Sequence, residues 1–207
     1  MGKNSCISRG LLIALYHDIT LIHTFYLGTH DIIMKKLTGK KILMVIAKNR
    51  FRDEEYREPR KVLEDEGAGI TVASSSRDIA TGMLGLKVKP DVLLTDVREA
   101  DYDGIVFVGG GGAAEYFDSQ VAHKLAQSFF GHGKLTAAIC IAPATLANAG
   151  VLKGKQATSF ASSLPILKAK GAVPSNENVV VDGNIVTAIG PDAAKTFGDT
   201  LVEVLTS

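Results

Sequence analysis

The chain has 207 residues, 46% of them hydrophobic, with 23 Lys plus Arg against 22 Asp plus Glu and a net charge of +1. That length suits one sizeable domain rather than two, and the balanced charge excludes the single-sign field that a nucleic-acid partner would need. Only two cysteines occur, Cys6 and Cys140, in segments of different character, so no disulfide framework is indicated and a reducing, cytoplasmic setting is expected.

In chain order, residues 1–33 come first. The stretch LLIALYHDITLIHTFYLG (11–28) is apolar but short, and His17, Asp18 and His23 interrupt it. No small-x-small cleavage site follows, and a charge near the middle of a span costs roughly 2.5–3.5 kcal/mol, which argues against a membrane anchor or signal. Met34 opens MKKLTGKKILMVIA, an ordinary domain start. Residues 1–33 therefore read as an N-terminal extension, appended or a mis-assigned start, and residues 34–207 as the working domain.

From Lys41 onward short apolar runs alternate with amphipathic stretches, the pattern of a sheet flanked by helices. KILMVIA (41–47) is apolar throughout and predicts a buried parallel strand. YREPRKVLEDEG (56–67) predicts a helix with Val62 and Leu63 facing inward and Gly67 as its stop. GITVASS (69–75) predicts a second strand, with short β pieces around Leu86–Val88 and Val92–Leu94. GIVFVGGGG (104–112) is a strand running into four glycines, and residues 115–130 predict a helix with Val121, Leu125 and Phe129 on one stripe. LTAAI (135–139) is a further strand, followed by a helix from Pro143 to Ala149 that Gly150 closes. VVVDGNIVTA (179–188) carries Asp182-Gly183 between apolar runs, a type I′ hairpin signal, and residues 193–205 close as an amphipathic helix.

In an open α/β sheet, ligands sit outside the carboxyl ends of the strands, and both Cys140 and the glycines at 109–112 fall at that edge. A tight strand-to-helix turn exposes a side chain, and the free N–H groups of the following helix favour thiolate over thiol. Free cysteine is otherwise among the most buried residue types, so position is what marks Cys140 out. Glycine lets the backbone approach a ligand closely, and the N–H groups of Gly110 and Ile141 are candidate oxyanion donors. After the first strand, Asp53, Glu54 and Glu55 stand where a loop enters a helix. The plain reading is pairing with the helix dipole, while one of the three could turn inward toward Cys140.

Together FRDEEYREP (51–59), IVFVGGGG (105–112), AAICIAPATLANAGVLKGKQATSF (137–160), VVVDGNIVTA (179–188) and GPDAAKTFGDTLVEVL (190–205) resemble the ThiJ/PfpI family of the class I glutamine amidotransferase-like superfamily. The resemblance covers about residues 40–206. It implies a three-layer flavodoxin-like α/β sandwich with a mainly parallel central sheet and a nucleophile elbow. By position it makes Cys140 the nucleophilic, oxidation-sensitive cysteine, Glu55 the glutamate that hydrogen-bonds its sulfur, and Gly110 and Ile141 the oxyanion-hole donors. It also implies a homodimer or higher homo-oligomer.

Three positions depart from that family's pattern. Ile141 stands where protease-like members carry a histidine after the cysteine, and Phe160, after Thr158-Ser159, where deglycase-like members carry one. Ile189 replaces an arginine common before the late Gly-Pro. Outside the extension only His123 and His132 remain. His132 lies at the far end of the Cys140 strand, and five residues span roughly 17 Å, so neither histidine is expected to reach the sulfur.

The resulting expectation is a cysteine-dependent protein acting on small electrophilic carbonyl compounds, a glyoxalase- or deglycase-like hydrolase or a lyase. Cys140 would be its nucleophile and Glu55 the hydrogen-bond and proton partner. The alternative is a non-catalytic redox-sensing stress or chaperone-type protein working through Cys140 oxidation, with a damaged protein as partner. An intracellular cysteine peptidase ranks third, because Ile141 speaks against it. No cofactor or metal motif is present in the sequence.

Overall fold

The computed structural model describes residues 35–207. A run that is apolar without alternation needs cover on both faces, and β1 (Lys41–Val45) has it: Ile42 to Ala47 have no exposed surface. After β1 come β2 (Asn49–Phe51), α1 (Asp53–Asp65) and β3 (Gly69–Ser74). Three short strands follow, β4 (Ala80–Gly82), β5 (Lys87–Val88) and β6 (Val92–Leu93), then β7 (Gly104–Phe107), α2 (Gln120–Gly131) and β8 (Leu135–Ile139). The chain ends through α3 (Pro143–Asn148), β9 (Gln156–Ala157), α4 (Leu164–Ala169), β10 (Val173–Pro174), β11 (Val179–Asp182), β12 (Ile185–Ala188) and α5 (Ala194–Thr206).

Seven strands form the central sheet in the order β11-β12-β8-β7-β1-β3-β6. All neighbours are parallel except β11 and β12. Helices cover it to give a three-layer α/β sandwich, with α1 packed along α5 and α2 packed against α3. From β1 the chain moves outward through β3 and β6, then returns to the other side of β1 as β7 and β8. The strand order therefore reverses between β1 and β7, which opens a crevice at their carboxyl ends. In register, Val45 pairs with Phe107, and Phe107 with Ala138, so the exits of β1, β7 and β8 lie side by side.

Three expectations are corrected. α1 starts at Asp53 rather than Tyr56, because the acids Asp53, Glu54 and Glu55 form its first turn, where the helix dipole favours negative charge. Residues 115–130 are not one helix. Gly111–Tyr116 form a 3₁₀ turn, and α2 starts at Gln120, where the Ser119 hydroxyl accepts the Ala122 N–H at 3.3 Å. Its buried stripe is Ala122, Leu125, Ala126 and Phe129, while Val121 is only half-buried. The 179–188 hairpin is present, but Asp182 pairs with Ile185, so its turn residues are Gly183 and Asn184. Type I′ needs positive φ at both; only Gly183 has it, at 63°, as in a type II′ turn.

A small three-stranded sheet, β2-β4-β5, stands beside the carboxyl edge of the main one, and β9 pairs with β10 in another. Asp53 ties the first arm to α1. Its buried carboxylate accepts the N–H of Leu84 at 2.9 Å and of Leu86 at 2.8 Å. Among the described residues no helix is long and apolar enough to cross a membrane.

Candidate functional site

Cys140 follows β8 directly and has φ 65°, one of two non-glycine residues with positive φ among those described. Such a backbone costs about 1–3 kcal/mol and persists only where its surroundings hold it. Two hydrogen bonds do so: the Cys140 N–H donates to Ala188 O at 2.9 Å, and the Phe160 N–H donates to Cys140 O at 2.8 Å. The side chain turns back from the sheet edge and is 8% exposed.

Glu55, in the first turn of α1, has no exposed surface. It meets Cys140 across Gly109, where an added Cβ would run into both the Glu55 carboxyl and the Cys140 Cβ. Only glycine fits between acid and sulfur. Neither carboxyl oxygen has a partner of full hydrogen-bond geometry among the described residues, although the Cys140 thiol and the Gly109 N–H lie toward it. Burial drives the Glu55 carboxyl up to about 7, against the pull of the thiol, the Arg52 charge and the Gly109 N–H.

The thiol itself is pushed up to about 12, first by burial and next by the Glu55 charge, while the N–H groups of Gly110 and Ile141 lower it. This corrects the expectation that the corner favours thiolate. α3 has only six residues, and loss of water outweighs the backbone donors. Above about pH 7 the arrangement is a carboxylate beside a thiol.

The other two acids serve the frame: Asp53 ties the arm, and Glu54 pairs with Arg52 at 2.9 Å. The glycine run is shaped by β2. A Cβ on Gly110 would strike Arg52 N and Arg50 O, and one on Gly112 would strike Asn49 O. The Arg52 N–H also donates to Gly109 O at 3.0 Å. Ile141 and Ile189 are half-buried and Phe160 is 47% exposed. Both histidines are engaged elsewhere. His123 Nε2 bonds Phe117 O at 2.7 Å, and His132 Nδ1 bonds Ser128 O at 2.9 Å and faces Glu99 at 3.2 Å.

A model of the DJ-1/PfpI family matches residues 40–204. The chain belongs to the DJ-1/PfpI family. An uncharacterized protein of Methanocaldococcus jannaschii is 42% identical over 167 residues, 79% of this chain and 82% of its own. Deglycase PfpI of Pyrococcus furiosus is 34% identical over 73% of this chain and 90% of its own. Among solved structures, a ThiJ/PfpI domain protein from Brachyspira murdochii superposes with a TM-score of 0.79 at 36% identity, covering 81% of this chain and 98% of that one. Drosophila melanogaster DJ-1beta does so with 0.74 at 31%, covering 81% and 91%.

In this DJ-1/PfpI chain the four residues singled out in sequence, Cys140, Glu55, Gly110 and Ile141, converge on one point. Arg50 and the β2 arm were missed. The available signal was the NRF triplet (49–51), two polar residues before a Phe51 with no exposed surface, which is too short for its period to be read.

Proposed function

We propose that this DJ-1/PfpI protein acts on small electrophilic carbonyl compounds, in the manner of a glyoxalase or deglycase, from the cytoplasm. The observation that carries the reading is the meeting of Cys140 and the buried Glu55 across Gly109, with the N–H groups of Gly110 and Ile141 acting on the sulfur. The thiol proton passes to the Glu55 carboxylate as the sulfur adds to the carbonyl carbon. A C–S bond forms, and the carbonyl π pair moves onto oxygen. The Gly110 and Ile141 N–H groups take up that negative charge, and Glu55 returns the proton to give a neutral hemithioacetal. No histidine enters the scheme. The name of the P. furiosus relative, a deglycase, points the same way.

The test is methylglyoxal turnover by wild type, Cys140→Ala and Glu55→Gln. The expected outcome is loss of activity in Cys140→Ala and a fall of about 10²-fold or more in Glu55→Gln. Equal rates in all three would sink the reading.

A further inference from the structure

Of the two non-glycine residues with positive φ among those described, one is Cys140 and the other is Arg50, at φ 59°. Both border the same glycine run. Arg50 stands where the pairing of β2 with β4 shifts register, between Asn49, opposite Thr81, and Phe51, opposite Gly82. Such bulges re-aim a side chain. Here the guanidinium is laid over Gly111: Nη2, Nε and Cζ stand 3.6, 3.7 and 3.8 Å from where a Cβ on that glycine would be. The guanidinium therefore lies within van der Waals reach of the space beside Gly111. Gly111 directly follows Gly110, whose N–H acts on the Cys140 sulfur.

No ion pair or side-chain hydrogen bond engages the Arg50 guanidinium among the described residues, and the residue is exposed. Its neighbour differs: Arg52 is paired with Glu54. A strained backbone thus sets a cation, unpaired among the described residues, beside Gly111, next to the glycine whose N–H acts on the Cys140 sulfur. A non-glycine residue in this conformation is retained where the surroundings demand it, and backbone strain of this kind clusters at ligand clamps.

We propose that Arg50 is the specificity-determining residue of the site, selecting carbonyl compounds that carry a carboxylate or phosphate close to the reacting carbon. The planar fork of arginine suits either group, and its charge draws an anion toward the sulfur. The inference rests on the reading of Cys140 as nucleophile and deepens it by naming the substrate class: α-oxo acids and similar anionic aldehydes in preference to neutral dicarbonyls, which react without this selection.

The experiment reads Cys140 directly and needs no turnover. Alkylation of Cys140 at pH 7.5 is followed by mass spectrometry with iodoacetate, whose carboxylate sits beside the reacting carbon, and with neutral iodoacetamide. Wild type is compared with Arg50→Gly, which keeps the positive φ without strain, and with Arg57→Ala, an exposed arginine of α1 away from the glycine run. In Arg50→Gly the iodoacetate rate is expected to fall about fivefold, the order of effect of removing one charge that attracts the reagent, with iodoacetamide unchanged. Arg57→Ala should leave both rates as they are, and 0.5 M salt should lower the wild-type preference. Rates that fall together in Arg50→Gly, or that do not move, overturn the assignment. In parallel, glyoxylate turnover should drop in Arg50→Gly while that of methylglyoxal holds. An enzyme inactive on both compounds but with the alkylation contrast intact would defeat the proposed reaction and leave the anion site standing.

Discussion

At neutral pH the Glu55 carboxyl stands near the middle of its titration while the Cys140 thiol is far below its own, so in the proposed reaction it is the neighbour that sets the reactivity of the sulfur. Below about pH 7 Glu55 holds its proton and cannot accept another; above it the carboxylate can take the thiol proton. Alkylation of Cys140 by iodoacetamide should therefore rise about tenfold between pH 6 and pH 8 and then level off. In Glu55→Gln that step should vanish, leaving a rise toward alkaline pH. A wild-type profile with no inflection near 7 would remove Glu55 as the acceptor. At this scale sequence alone reached Cys140, because a cysteine ending an apolar strand can be read locally. It could not choose among Asp53, Glu54 and Glu55. Successive helical residues point in three directions, and which one is inward depends on β7 and β8, far away in sequence. The family resemblance made that choice, and the position of Gly109 gives its physical reason.

The long elements could be read from apolar runs and helical stripes, while the arm could not. β2, β4 and β5 have three, three and two residues, too few to show a period, and Asp53 holds them to α1 together with Phe51, whose ring meets Tyr56 edge-on at 5.7 Å. That carboxylate gives two charge-assisted hydrogen bonds in a setting 3% exposed. Asp53→Ala should cost about 2–3 kcal/mol in urea unfolding, with faster amide exchange confined to residues 80–88, since the N–H groups of Leu84 and Leu86 lose their acceptor. Because Arg50 lies on β2, the iodoacetate preference should weaken in the same variant. Unchanged exchange in 80–88 would mean that the arm is held by its strand pairing alone. The glycine run shows the same dependence on the arm: sequence marked it as a backbone able to approach a ligand, while Gly110 and Gly112 are fixed by the backbone of β2 lying against them.

The alternation of strands and helices specified a sheet flanked by helices, the family resemblance made it a three-layer sandwich, and the reversal of strand order between β1 and β7 explains why three distant segments share one edge. That shared edge has a consequence for stability, because it buries an acid that has no full partner among the described residues. Glu55 is raised from 4.5 to about 7 in the folded chain, so the folded state binds this proton more tightly than the unfolded one. Its contribution is fully present below about pH 4.5 and is lost as pH rises through 7, on the order of 3 kcal/mol in all. Asp78 and Asp182 act in the opposite sense. Held down by hydrogen bonds to Lys48 and Lys155, they favour the folded state above their ordinary range and lose that effect in acid. Glu55→Gln removes only the first contribution. Its denaturation midpoint should match wild type near pH 4.5, exceed it increasingly from pH 5 to pH 7 and keep a constant lead above pH 8, read by urea titration at each pH. Parallel profiles for the two proteins would mean that Glu55 titrates near its ordinary value inside the fold, and the proton transfer proposed between it and Cys140 would lose its physical basis.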